Sequence, residues 1–327
     1  MKALSLNNKY VNLYITTLLF CALFALGSVL YTGFFSGQVL LNMFIDNAFL
    51  IITAIGMTFV LIIGGIDISI GAVIALICML SAYLLEVWHL GPLVVIPAML
   101  IVGAVFGLVQ GIFIHYFKIQ PFIVTLAGMF LARGLCYVIS IDTVLITDPF
   151  YQFMATYRIP LPFNSFISVS VLIALAAIAA AYYILNYTRF GRTAYAIGGN
   201  EQSALLMGLP VARTKVLIYT LNGFCSALAG IVFSFYMLSG YGLHAVGLEM
   251  DAIASVVIGG TPLTGGIGFV TGTLFGVLIQ GVIQTLIMFQ GTLSSWWTKI
   301  AIAFLLCVFI VLQRLIVARK ESRKSLA

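Results

Sequence analysis

Charge is the scarcest thing in this sequence. Asp, Glu, Lys and Arg together supply 7% of its 327 residues, against roughly 25% in a soluble domain. So few charges cannot build a water-facing surface, and a soluble globular protein is excluded. Histidine is almost as rare: His89, His115 and His244 stand far apart and form no ligand spacing. The five cysteines (Cys21, Cys78, Cys136, Cys225 and Cys307) are scattered through apolar segments with no close pairing. They read as small buried hydrophobes, and no metal site is expected. GxSxG, HExxH, CxxC and paired carboxylates are absent, so catalysis finds little support. A G-x-x-x-x-G-K-[ST] loop is also missing, so the chain does not itself bind ATP by a P-loop. The formal charge of +6 does not point to nucleic acid.

What is present is grease: 63% of the residues are apolar and the mean hydropathy is +1.19. The apolar runs are about 20 residues long, enough to cross ~30 Å of hydrocarbon as helix. They lack the short alternation of a membrane barrel. Twelve of the fifteen Lys and Arg fall at the N-terminus, at Lys118, in the 185–215 loop and after residue 313. That bias assigns those segments to the cytoplasm. The expected fold is an all-α polytopic bundle of about ten spans in one transmembrane domain over 1–327, with both termini cytoplasmic. The spans fall at 11–31 (a retained first span rather than a cleaved signal), 43–63, 68–85, 92–116, 122–140, 164–184, 215–236, a segment broken at 258–266, 267–289 and 298–316. Residues 141–163 are an external loop.

The stretch LIIGGIDISIGAV (61–73) sets an aspartate amid apolar residues. In a bilayer a carboxylate needs a partner, a polar interface or a role. GGIDISIG (64–71) is echoed by GGTPLTGG (259–266), an offset of 195, and both follow an aliphatic run. Two glycines at a helix end let the chain turn, and such paired breaks point to a transport path or its gates. Asp67 is expected where a helix breaks at the inner end of a span. It either caps the next helix or lines the path. GAVFGLVQG (103–111) and GTLFGVLIQG (272–281) carry small residues four or five apart, which permits close helix packing. Membrane helices also collect glycine without such a purpose.

In the basic loop 185–214, Asn200 precedes Glu201, QSALLMG suits a short amphipathic helix, and Gly208 with Leu209-Pro210 ends it. Such a helix at the inner face either docks on another protein or lies on lipid. Arg133 falls near mid-bilayer and is expected to face the bundle, in an ion pair or on the path. Lys299, after Trp296-Trp297, reads as an interface anchor. Candidate path residues are Asn47, Asp67, Ser69, Gln120, Phe122, Thr125, Arg133 and Thr264. They are chosen for polarity in apolar surroundings, with Phe122 added as a ring on which a solute could stack. Gly64, Gly65, Gly259 and Gly260 are the candidate gates.

The phrases NMFIDNAFLIITAIGMTFVLIIGGIDISIGAV (42–73), IQPFIVTLAGMFLARG (119–134), YAIGGNEQSALLMGL (195–209) and ASVVIGGTPLTGGIG (254–268) together resemble permease subunits of bacterial sugar ABC importers of the ribose/branched-chain amino acid type. The tail from Leu248 to Arg314 (LEMDAIASVV through FIVLQR) resembles one permease of a galactofuranose importer. The resemblance implies an inner-membrane complex of two different permeases, a cytoplasmic ABC ATPase that holds ATP and Mg, and a periplasmic sugar-binding protein. It also implies a coupling helix opened by Asn200 and Glu201, carrying Ser203 and Ala204 as its small pair and ending at Gly208. Serine at 203 departs mildly from the usual alanine. Without the resemblance, an ion-coupled secondary transporter remains the alternative.

Overall fold

The computed structural model describes residues 11–162, 165–292, 294 and 296–324. The chain opens with α1 (Val11–Leu30), α2 (Gly37–Asp46), α3 (Ala48–Ile62), α4 (Ile70–Glu86), α5 (Pro92–Tyr116) and α6 (Pro121–Ile139). The connection that follows holds β1 (Val144–Leu145), α7 (Pro149–Thr156), β2 (Arg158–Leu161) and β3 (Ser165–Ser168). Next come α8 (Val169–Tyr187), the short α9 (Arg189–Gly199) and α10 (Glu201–Leu206), and α11 (Val211–Met237). β4 (Ser239–Gly240), α12 (Leu248–Ile258), α13 (Val270–Gln290) and α14 (Trp296–Lys324) complete the order.

Helix dominates, as expected, and the described residues add four short strands. β1 pairs antiparallel with β4, and β2 with β3. The stretch read as a plain external loop is therefore built. Asp148 caps α7 by accepting from the Phe150 and Tyr151 N–H groups, with Pro149 at the first helical position. The Glu86 carboxylate, at the end of α4, accepts from the Thr147 N–H and hydroxyl, both at 2.6 Å.

A helix covers each predicted span, yet among the described residues six are long and apolar enough to cross a membrane: α1 from Leu13, α5, α6, α8, α11 and α13. The pair α2–α3 makes a seventh if counted as one span, bent by 60° at Asn47. α4 is 17 residues, and the apolar part of α14, Trp296–Phe309, is shorter still. α12 is 11 residues, about 16 Å of helix. Residues 1–10 and 325–327, the two termini expected in the cytoplasm, lie outside the described residues.

α3 is apolar on every side and fourteen of its residues are buried, which makes it the central post of the bundle. α11 packs along α3, α4 and α5. The glycines of 103–111 make that possible: a Cβ at Gly107 would stand 2.1 Å from the Tyr219 carbonyl oxygen on α11. The second glycine stretch seats α13 on α12, where a Cβ at Gly276 would meet the Ser255 carbonyl at 1.9 Å. In both places close backbone packing supplies what the hydrophobic effect supplies in water.

Candidate functional site

The two glycine motifs end up side by side. α3 closes with Gly64 N–H donating to the Leu61 carbonyl (2.9 Å) and Gly65 N–H to Val60 (3.0 Å). α12 closes with Gly260 N–H donating to Val257 (2.9 Å) and Thr261 N–H to Val256 (3.1 Å). This is one turn made twice, a helix stop with the left-handed residue at Gly64 (φ +75°) and Gly260 (φ +95°). The equivalence is therefore Gly64 with Gly260, an offset of 196, one residue away from the 195 read by letter matching. In the true register Gly65 faces Thr261 and Asp67 faces Leu263.

The turns touch each other and α9. Gly266 N–H donates to the Ile62 carbonyl at 2.8 Å. A Cβ on Gly198, at the end of α9, would lie 1.8 Å from that same oxygen and 2.5 Å from the Gly266 nitrogen. One on Gly265 would lie 2.7 Å from the Gly64 nitrogen. The Tyr195 hydroxyl donates to the Gly268 carbonyl at 2.7 Å. Burial pushes that phenol up to about 12, so it stays a donor at neutral pH. Gly259, Gly260 and Gly65 are buried in this knot, whereas Gly64 and Thr264 are exposed on its surface.

α10 forms where the sequence predicts a short helix, and it stands beside the knot. Asn200 caps it by accepting from Ser203 N–H at 2.8 Å. Glu201 pairs with Lys215 on α11 at 2.6 Å. α10 ends in the same turn as α3 and α12: Gly208 (φ +73°) donates to Leu205, and Leu209 to Ala204. Its small pair is split. Ala204 is fully buried against Ile197 and Val211, with Ile63 of the α3 turn packed on them. Ala204 thus fastens α10 to its own chain. Ser203, Leu205, Leu206 and Met207 face out, Leu206 being 87% exposed.

Asp67 does not line an open path. It is 2% exposed, and three donors close on its carboxylate: Ser69 N–H (2.8 Å), Ser69 hydroxyl (2.6 Å) and Asn222 Nδ2 of α11 (2.7 Å). Gln110 of α5 donates to the Ser69 hydroxyl at 2.8 Å. The carboxylate therefore pins the α3–α4 break to α5 and α11. Asn222 and Gln110 were missed from the sequence, although each is a lone amide in an apolar span.

The other candidates lie apart. Gln120 and Phe122 sit exposed at the start of α6, and Thr125 is buried one turn on, its hydroxyl on the Phe122 carbonyl. Arg133 finds no ion pair among the described residues. It donates to the carbonyls of Gly242 (2.7 Å) and His244 (2.6 Å), bracing the turn that leads into α12. Lys299 is no simple anchor, because its ammonium pairs with Asp251 of α12. Asn47 is at the far end of α3, about 22 Å of helix from the glycine knot.

Long apolar helices, half-helices that stop at glycine turns and buried amides at the breaks define a polytopic membrane protein of the permease type. The chain belongs to the family described as the branched-chain amino acid transport system permease component, whose pattern matches residues 39–311. It is 49% identical to the inner membrane ABC transporter permease YjfF of Escherichia coli K12, over 90% of this chain and 89% of that one. It is 39% identical to the fructose import permease FruG of Bifidobacterium longum, over 99% and 96% of the two chains. With the ribose import permease RbsC of E. coli K12 it shares 35% identity over 88% and 90%. No solved structure gives a significant match.

Proposed function

We propose that this chain is a permease subunit of an ATP-driven importer that carries a monosaccharide across the bacterial inner membrane into the cytoplasm. The named sugars of its relatives, fructose and ribose, support the solute class. The tail's resemblance to a galactofuranose importer suggests that sugar as the substrate. In this reading the chain crosses ten times with both termini cytoplasmic, and α4, α12 and α14 complete their crossings with neighbours. α10 is the coupling helix. Its partners are a cytoplasmic ABC ATPase that holds ATP and Mg, a second and different permease, and a periplasmic sugar-binding protein.

The observation that carries the reading is the placement of α10. It offers exposed Leu205, Leu206 and Met207 outward while Ala204 sits on Ile63 at the end of the central helix. A push on its open face reaches the α3 turn without an intervening flexible segment. An ion-gradient carrier draws no support from Asp67, whose oxygens are all engaged by donors.

Gentle detergent purification of the tagged chain, expressed with its neighbouring genes, is the test. Recovery of a P-loop ATPase and a second permease is expected, and Leu206→Glu should lose the ATPase while keeping the permease pair. A chain that emerges alone even after cross-linking refutes the reading.

A further inference from the structure

At the end of the molecule away from α10, the helices leave a cavity of about 650 Å³, a common size for small-molecule pockets. It is framed by the α2–α3 break, the end of α11, the start of α12, the last half of α13 and the first turn of α14. Its lining gathers six charged or amide side chains from a chain poor in charge. Asp46, Asn47, Asp251, Gln280, Gln284 and Lys299 all contribute.

The floor is fixed before anything binds. Asn47 and Gln280 are 6% and 3% exposed. Asn47 Nδ2 donates to the Met43 carbonyl and Gln280 Nε2 to the Asp251 carbonyl, each at 2.9 Å, which leaves their amide oxygens as acceptors. Lys299 neutralises Asp251. One wall is aromatic: Phe49 and Tyr236 pack with ring centroids 6.0 Å apart, and Tyr236 is 56% exposed. A smaller cavity of about 200 Å³ shares Asp46, Phe49 and Tyr236 and adds Arg158.

This set of groups discriminates among ligands. A lipid tail needs an apolar trough, such as the one between α4, α5 and α6, where Gln110 is the lone polar residue. A bound metal ion needs several ligand atoms converging at short range, but no group of three or more His, Cys, Asp or Glu stands together among the described residues, and Lys299 already occupies Asp251. A neutral ring carrying several hydroxyls needs both donors and acceptors at fixed points and an apolar face for its C–H side.

We propose that this cavity is the site where the chain receives its sugar, with Gln284, Asp46 and the Asn47 and Gln280 oxygens holding hydroxyls and the Tyr236 ring stacking on the pyranose or furanose face. The site rests on the sugar-permease reading given above.

The complete importer in proteoliposomes, with its ATPase, partner permease and binding protein, provides the test. Uptake of radiolabelled ribose, fructose, arabinose and galactose is measured singly and in competition. Tyr236→Ala and Gln284→Ala, both on the exposed rim, should each lower uptake at subsaturating sugar at least tenfold. They should also change the preference among the four sugars, which a merely structural lesion leaves alone. Tyr236→Phe should restore most of the rate, and Phe130→Ala, an exposed ring on α6 outside the cavity lining, should transport like the wild type. If the wild type moves sugar and the two alanine variants stay within twofold with unchanged preference, the site is wrong and the sugar-permease reading stands. If the wild type moves none of the four, both fail together.

Discussion

Gly198 and Gly199 are neighbours at the end of α9, and they make opposite predictions. A Cβ on Gly199 meets nothing within 4 Å. Alanine there gains helix propensity of up to about 1 kcal/mol over glycine, so Gly199→Ala should be neutral or mildly stabilising. A Cβ on Gly198 would sit 1.8 Å from the Ile62 carbonyl oxygen and 2.5 Å from the Gly266 nitrogen. Real Cβ atoms essentially never come within 3.0 Å of such atoms, so α9 must back away by more than 1 Å. Both obstacles are backbone, and no rotamer change relieves them.

Overpacking of this kind costs typically 1–3 kcal/mol. The gain in propensity offsets part of it, which leaves a net loss of about 1–2 kcal/mol for Gly198→Ala. The displacement also pushes directly on the Gly266–Ile62 hydrogen bond that joins the α3 and α12 turns. Thermal unfolding of the two variants in one detergent is the first assay, and Gly198→Ala should melt several degrees below Gly199→Ala. ATP hydrolysis and solute uptake by the assembled complex are the second, and uptake should fall more than hydrolysis in Gly198→Ala alone. If the two variants melt and transport alike, α9 is not wedged against the glycine turns and the proposed link through them is refuted.

Asp67→Leu leaves Asn222 Nδ2 and the Ser69 N–H as buried donors without their acceptor, a loss of about 3 kcal/mol. Asp67→Asn should cost less than half as much, because Asn222 can turn its amide oxygen toward the new donor. Melting of the purified variants decides this, and a Leu variant as stable as the Asn variant would contradict the network. Arg133→Met removes two charge-assisted bonds to the carbonyls before α12 and should cost about 2–3 kcal/mol. Amide exchange should then quicken in residues 240–247, and unchanged protection there would show that the turn holds itself.

The helices were legible because length and hydropathy are local properties, and one appears at each expected stretch, although among the described residues six, or seven with the bent pair, are long and apolar enough to cross. The paired glycine turns were also legible, but one residue out of register. Letters align GGIDISIG with GGTPLTGG, whereas hydrogen bonds align the residues at positive φ, and these are the second glycine of one pair and the first of the other. The partners of Asp67 could not be found by pattern, since Asn222 lies 155 residues away on α11. Arg133 misled for a different reason. A guanidinium in a span suggests a carboxylate, and here main-chain carbonyls at a turn satisfy it. The break at Asn47 was hidden within an apolar run that satisfied the span length, and the cavity beside it draws its lining from several separate elements.

α3 and α12 connect the two ends of the molecule by the same construction. Each begins at the polar cavity, α3 after Asn47 and α12 with Asp251 in its first turn. Each ends in a glycine turn at the α9–α10 face. A helix transmits displacement along its axis because its hydrogen bonds form a continuous ladder, while the turn beyond it absorbs the change of angle. α3 is about 22 Å long and α12 about 16 Å, so the same shift at the shared knot tilts the shorter helix more. Unequal tilts would change the separation between Asn47 on α3 and Asp251 on α12, and with it the width of the cavity floor. With α10 as the coupling helix proposed above, two helices of different length hinged on touching glycine turns would give a push on it a route to the cavity.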